Sequence, residues 1–382
     1  MPNAFEEIDW IAAEALSVMS DNLIIAPLVS MDKSSDWNTV PDGYAKGDTI
    51  RIKTGPDYEA KEFAGSISIQ SVRSSSRNMK IEKHFDISVE LTSKEMALDF
   101  EGFINEVIAP SAIRLAEKVE IYTASKILDA HGLYHSAVLL ETSADVALAR
   151  QAALLQQLNP GNRFCLVDDT LEAKLLGKDW FNQSQTRGAD GETTLRTGQM
   201  GSVMGMDFFS SVNFPSTDAA ASGTYSSGTG VTNNGAGNLV GEKTLITTAV
   251  VGGLTAGDHL KIAGVKRPIV VASNVAALAT SIPLVDPITE IIPDATAISV
   301  IGSGLAYVKR GAIFDDKSLA VAFPILDLPG DQVASVLSAG GVSIRVVRGY
   351  NMTDKKTTMS MDVLVGAACY EPRRITLLSD DV

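Results

Sequence analysis

The chain has four histidines, two cysteines and a few adjacent carboxylates, and chemistry would have to start from these. His131 and His135 stand four apart, a spacing that on a helix brings two imidazoles within reach of one metal. No glutamate follows His131, and Gly132 is read as the end of the helix, so the two are taken as ordinary histidines. Gly237-Asn238-Leu239-Val240-Gly241-Glu242-Lys243-Thr244 has the outline of a phosphate loop. Its glycines are one residue too close, and Glu242 would repel the anion the loop must attract. Cys165 lies in an apolar run, where a thiol is a small inert hydrophobe. Asp168-Asp169 and Asp315-Asp316 are each read as capping a following helix, with acid catalysis or cation binding as the other reading. No serine stands in a Gly-x-Ser-x-Gly turn. The reading is therefore a non-enzyme, with no catalytic residue, cofactor or metal ligand assigned. What remains is charge. Arg73, Arg77, Lys80 and Lys83 form a basic stretch in a chain of net charge -14. They are assigned to a subunit interface, facing an acidic patch on a neighbouring copy; the plainer reading is a solvated loop. Such complementarity guides register more than it adds affinity.

The composition limits the function classes. The 382 residues suggest two or three structural units. With 45% hydrophobic residues the chain can bury sizeable cores. A pI near 4.8 argues against a chain that grips nucleic-acid phosphates, since such affinity comes from Lys and Arg displacing counterions. Two cysteines far apart in sequence suit a reducing cytosol. The acidic start MPNAFEEIDW lacks the basic region of a secretory signal, and no apolar stretch reaches about 20 residues. The expectation is a soluble, cytosolic chain with no membrane partner.

The elements that would position these residues are mixed. Phe5, Ile8, Ile11, Ala12, Ala15, Leu16 and Met19 have helical spacing over 4–20. Residues 21–46 are irregular, an arm without a core of its own. Thr49–Lys53 and Ser66–Gln70 alternate, Val72–Asn78 is a polar loop, and Met79–Leu91 alternates again. Together they form a long hairpin with a basic tip. An isolated hairpin is marginal in water, so the plainer reading is an ordinary sheet edge and the sharper one a hairpin supported by a neighbouring copy. Thr92 and Glu95 make a capping box, Pro110 interrupts, and a long helix runs from Ser111 to His131, closed by Gly132. A helix capped by Ser143, a strand at Arg163–Val167 and a helix from Thr170 to Gly177 form a small α/β region. Residues 216–241 are a Ser/Gly-rich linker. Turn-punctuated strands then run to Gly302. A strand at Leu305–Lys309, a short helix from Ala312, and an antiparallel pair, Val342–Tyr350 with Thr357–Val365, complete an α+β chain.

The order of these parts resembles the coat proteins of tailed phages with the HK97 fold, and within them the phage P22 coat family. The residues that carry the resemblance are the hairpin Gly47–Leu91, like the family's E-loop, and RLAEKVEIYTASKILDAHG, like its spine helix. GGLTAGDHLKIAGVKRP, Gly252–Pro268, is similar to the start of an inserted β-domain. Gly341–Arg345, Tyr350, Met361–Gly366 and Glu371-Pro372 are like the last strands of the peripheral domain. The resemblance implies an N-terminal helix and arm at 1–46, the E-loop at 47–92, and the spine helix and peripheral domain at 93–142 with 341–382. It places an axial domain at 143–238 with 303–340, and the inserted β-domain at 239–302. It also implies a virion shell of homo-hexamers and homo-pentamers assembled in the host cytoplasm. The implied partners are a scaffolding protein, a portal protein and, in some members, decoration proteins. The shell would enclose double-stranded DNA without sequence-specific binding. Two other readings stay open: a non-viral HK97-fold compartment or gene-transfer particle, and a binding protein acting through the β-domain.

Overall fold

A computed structural model describes residues 3–31, 49–54, 75–92, 107–156, 161–215, 230–232, 237–248, 253–301, 307–330, 333–352 and 356–381. Helices and sheets are mixed. The chain divides into two units: Met1–Lys126 with Lys317–Glu371, and Ile127–Asp316 with Pro372–Val382.

The first unit is built on an antiparallel sheet, its strands numbered along the chain. Side by side lie β1 (Thr49–Thr54), β2 (Ser75–Thr92), β17 (Lys356–Cys369), β16 (Val342–Asn351) and β15 (Val333–Ala339), and β14 (Leu319–Ala322) also pairs β17. In β17, Thr357, Met359, Met361, Val363 and Val365 are all buried, the period of two expected of a strand with one face on a core. The expected pairing of the last two long strands is present, Arg345 opposite Asp362 through Asn351 opposite Lys356.

β2 changes partner along its length. Ser75–Lys80 pair with β1, and Ile81–Thr92 pair with β17. At the changeover Val365 faces Lys83 but Gly366 faces Ile81, so Glu82 is an extra residue and β2 is bulged. A Cβ on Gly366 would stand 3.0 Å from the Lys80 carbonyl oxygen, which explains a glycine at this close approach. The β1–β2 pair is supported from within its own chain. Ile52 and Met79 are buried against Ala320 and Ala322 of β14. For the described part of the hairpin this fits the plainer reading, an ordinary sheet edge. Ser75–Asn78, expected in a loop, are strand, while the Ser66–Gln70 strand and the Glu95 end of the capping box lie outside the described residues.

Helix α1 (Asn3–Asp21) buries Ile8, Ile11, Ala12, Ala15, Leu16 and Met19, the face its spacing dictates, against β15 and β16. Helix α2 (Ala109–Ile127) carries Pro110, which has no N–H to donate, just after a π turn at Val107 and Ile108. It ends at Ile127, short of the expected His131.

In the second unit a mixed sheet runs β3 (Gly132–His135), β18 (Thr376–Asp381), β13 (Tyr307–Phe314), β4 (Phe164–Val167), β6 (Met206–Ser210), β5 (Ser202–Val203). Gly132 opens β3 rather than capping a helix. A Cβ there would lie 2.7 Å from the Ile375 carbonyl oxygen. Helices α3 (Ser143–Leu155) and α4 (Asp169–Leu176) cover a core that includes Val146, Leu171, Leu175, Phe181 and Phe208. The cap of α3 is Thr142, one residue ahead of the expected Ser143, and Asp145 completes its capping box. The helix expected from Ala312 is absent: Ala312, Ile313 and Phe314 are the buried end of β13.

Within this unit β7 (Gly230–Val231), β9 (His259–Ile262), β10 (Ile269–Val270) and β12 (Ala297–Val300) form a four-stranded sheet, and β8 (Thr244–Ile246) pairs β11 (Ser281–Pro283). These strands share a separate core of Leu245, Leu254, Leu260, Val271, Ile282 and Ile292. β7 falls in the stretch whose composition reads as linker, so the sheet starts ahead of Leu239.

Candidate functional site

The four basic residues assigned from sequence do not sit together on a loop. Arg73 lies outside the described residues. Arg77 pairs opposite Ile52 and Lys80 opposite Thr49, both in the β1–β2 ladder, and Lys83 stands opposite Val365 past the bulge. Lys80 and Lys83 are exposed and Arg77 is half-buried. Arg51 and Lys53 of β1 lie on the same pair of strands, so among the described residues the basic character belongs to a paired ribbon.

Beyond the bulge the exposed side of β2 turns acidic and joins a polar cluster on β17 and β16. The Ser360 hydroxyl lies 2.6 Å from Asp86 and 2.7 Å from Asp362, and its one hydrogen serves one carboxylate at a time. Arg345 donates from Nε to Asp362 at 3.0 Å, and His84 Nε2 stands 3.7 Å from the same carboxylate. Burial works against ionisation of Asp362, but Ser360 and Arg345 outweigh it and hold the carboxyl below its usual range. On the side of α2, Lys126 lies 3.6 Å from Glu82 and over the Tyr122 ring, whose edge meets Phe85.

Sequence reasoning missed Glu120. Its carboxylate is buried in α2 and accepts the backbone N–H of Ile24, Ile25 and Ala26, the start of a short 3-10 turn. Burial pushes its pKa up to about 7, although the three N–H groups pull the other way. The turn leads to Ser30, which bridges in parallel to Ala320. The signal was present in sequence: Glu120 falls at helical spacing between Ala116 and Thr123, on the buried stripe.

In the second unit the residues first considered for chemistry make structural contacts. His131 Nδ1 lies 2.6 Å from Asp286, which also receives Arg373 Nε at 3.2 Å. Burial alone would raise the Asp286 pKa, but His131 and Arg373 hold it well below the carboxylate range. The three residues line a pocket of about 40 Å³ with Gln156 and Arg267. His135 sits on β3, with Nε2 3.3 Å from Asp381. His259 is buried; burial first, then Lys309 and His131, push its pKa down to about 3, so it is a neutral core residue. Asp168 caps α4 through Leu171 N at 2.8 Å and meets Arg310, which also binds Asp380 at 2.9 Å. Asp315 caps no helix; it pairs with Arg374 at 2.5 Å. Cys165 is buried in β4, and burial raises its thiol pKa. Glu242 accepts the Leu239 N–H at 3.2 Å, closing the Gly237–Thr244 stretch on itself. Among the described residues no group of three or more His, Cys, Asp or Glu could hold a metal ion, and no helix is long and apolar enough to cross a membrane.

No family model and no curated protein matches the chain by sequence. Among solved structures, a chain of Mycobacterium phage Che8 is 11% identical with a TM-score of 0.51, over 93% of this chain and 90% of that one. A chain in the asymmetric unit of the bacteriophage PhiM1 mature capsid is 10% identical with a TM-score of 0.47, over 87% and 82%. A chain from the capsid of a native GTA particle is 10% identical with a TM-score of 0.46, over 88% and 86%. The fold assignment rests on the first of these: the chain shares its mixed helix-and-sheet fold, nearly end to end, with a protein of a bacteriophage.

Proposed function

We propose that the chain is the major capsid protein of a tailed bacteriophage, a structural subunit rather than an enzyme. It assembles through hexamers and pentamers into the icosahedral head shell that encloses the double-stranded genome. The observation that carries this reading is the likeness to the Mycobacterium phage Che8 chain over 93% of the length. The acidic composition supports containment of DNA without sequence-specific grip. In this reading 47–92 is the E-loop, with β1 and β2 as its two strands, and α2 belongs to the spine helix. Placement near the phage P22 coat family rests on the Gly252–Pro268 segment and the β-sheets around it. A scaffolding protein guides assembly in the host cytoplasm, a portal protein occupies one vertex, and decoration proteins are optional. Arg73, Arg77, Lys80 and Lys83 serve contacts between copies.

Negative-stain electron microscopy of the protein expressed alone, and with its neighbouring reading frames, tests the proposal. Closed shells, tubes or rings of uniform size are expected. Only small monodisperse particles in both samples would overturn it.

A further inference from the structure

The pocket of the second unit holds a polar group with no partner. Gln156, just past the end of α3, is 3% exposed and lines the cavity of about 40 Å³. Its backbone N–H donates to the Ala153 carbonyl at 3.0 Å, but its carboxamide makes no hydrogen bond to any described residue. A buried amide in that state is destabilising, and a guest that accepts from it would offset part of the penalty. The rest of the wall is of two kinds. Val265, Ile269, Pro287 and Ile288 are apolar, and Arg267, Arg373, His131, Asp286 and Glu290 are ionisable. His131 and Arg373 meet Asp286 at 2.6 and 3.2 Å, and Arg267 Nε donates to the Leu155 carbonyl at 3.3 Å. Glu290 is exposed, where salt screens it. Two guanidiniums therefore stand against one inner carboxylate, and the field in the cavity favours an anion.

We infer that this pocket is a binding site for a small carboxylate ion, which accepts hydrogen bonds from the Gln156 amide in the field of Arg267 and Arg373. Both arginines have protein partners, so they lend charge while Gln156 lends the open donors. Size narrows the ligand. One water needs about 10–15 Å³ of such volume, so the cavity takes about three water-sized groups, the bulk of a carboxylate head. Tetrahedral phosphate is bulkier and brings a second charge toward Asp286. The apolar wall suits a short alkyl tail, the usual division between apolar lining and a few placed polar groups. The guest sits where distant parts of the second unit converge. Gln156 follows α3, His131 precedes β3, and Arg373 lies in the 3-10 turn Pro372–Arg374. Arg267 precedes β10 and Asp286 follows β11. A bound carboxylate therefore fastens the inserted strands to the rest of that unit. The site stands on the pocket alone and does not depend on the shell-building reading.

Carbon-13 acetate, titrated into the full chain and followed by NMR, tests this. The acetate line is expected to broaden saturably, with a dissociation constant on the order of 1 mM, the scale that so few heavy atoms support. Formate is expected to compete, and inorganic phosphate at equal ionic strength is not. The thermal midpoint is expected to rise with acetate along the same saturation curve. Two substitutions tie the binding to the pocket. Gln156→Met keeps the bulk and removes the donors; Gln156→Glu keeps the length and sets a carboxylate of its own against the guest. Each is expected to weaken acetate binding about tenfold or more, with the acetate-free thermal midpoint confirming that the variant folds. A wild-type line that does not broaden saturably would overturn the site. So would phosphate that competes as well as formate, or a folded Gln156 variant that binds acetate like wild type. If neither variant folds, the wild-type titration and its competition decide the matter by themselves.

Discussion

Glu120 on α2 holds the backbone N–H of Ile25 at 2.9 Å, fastening the segment after α1 to a helix that lies 95 residues away in sequence. The carboxyl is raised from 4.5 to about 7, mainly by burial. Between those values the folded chain keeps a proton that the unfolded chain has lost. Stability therefore falls as pH rises from about 4.5 to about 7, and is flat above. The full effect is on the order of 3 kcal/mol. Glu120→Gln should abolish that slope, read as denaturation midpoints at several pH values. A slope that persists in the Gln variant would refute the assignment. Glu120→Ala should cost about 1–3 kcal/mol at all pH values, because buried N–H groups lose their acceptor.

Gly132→Ala should destabilise the second unit by about 1–3 kcal/mol through overpacking. The new methyl would meet the Ile375 carbonyl oxygen at 2.7 Å and Thr376 Oγ1 at 2.6 Å, in a parallel strand pair with no room to shift. Gly330→Ala, with open space around its Cβ, is the control. Equal thermal midpoints for the two variants would contradict the crowding.

Asp286 links the strands after β11 to His131 and Arg373. Its pKa in the fold is depressed below 3.8, so the stability it contributes is complete above about pH 4 and drains away as pH falls below that. Asp286→Asn should lower stability at neutral pH and make acid unfolding, followed by circular dichroism, less steep. An acid transition as steep as that of wild type would exclude Asp286 as its source.

Removing Leu239–Gly302 should reduce soluble yield or particle uniformity. The cut strands β7, which pairs Val231 with Ala297, and Thr232, whose hydroxyl donates to the Pro293 carbonyl at 2.7 Å. A deletion that begins at Gly230 leaves no such orphan and should be tolerated better. Uniform particles from the first deletion would sink the idea.

The legible parts of the chain were those where one periodicity dominates. The apolar spacing of α1 and the alternation in β16 and β17 named their own buried faces. The insert strands were marked by turn residues around short apolar runs such as Leu260–Ile262. The region around Ala312 failed for a physical reason: a continuous apolar run buried on both sides has no period to read, and strand and helix look alike there. The same limit applies where a contact is long-range. Nothing local says that Gly132 opens a strand beside Ile375, or that Ser75–Asn78, polar throughout, pair with β1. The basic residues were legible as a charge cluster but not as members of a ladder, because Arg77 and Lys80 owe their positions to Ile52 and Thr49.

β2, with its 18 residues, spans about 60 Å as one covalent strand, gripped by β1 near its start and by β17 over the remainder. A pull on its amino-terminal end acts along the strand, at right angles to the ladder bonds. Those bonds are loaded together in shear rather than opened one after another like a zip. The strand is thus a tension member, able to carry force from the ribbon into the middle of the sheet without fraying at the edge.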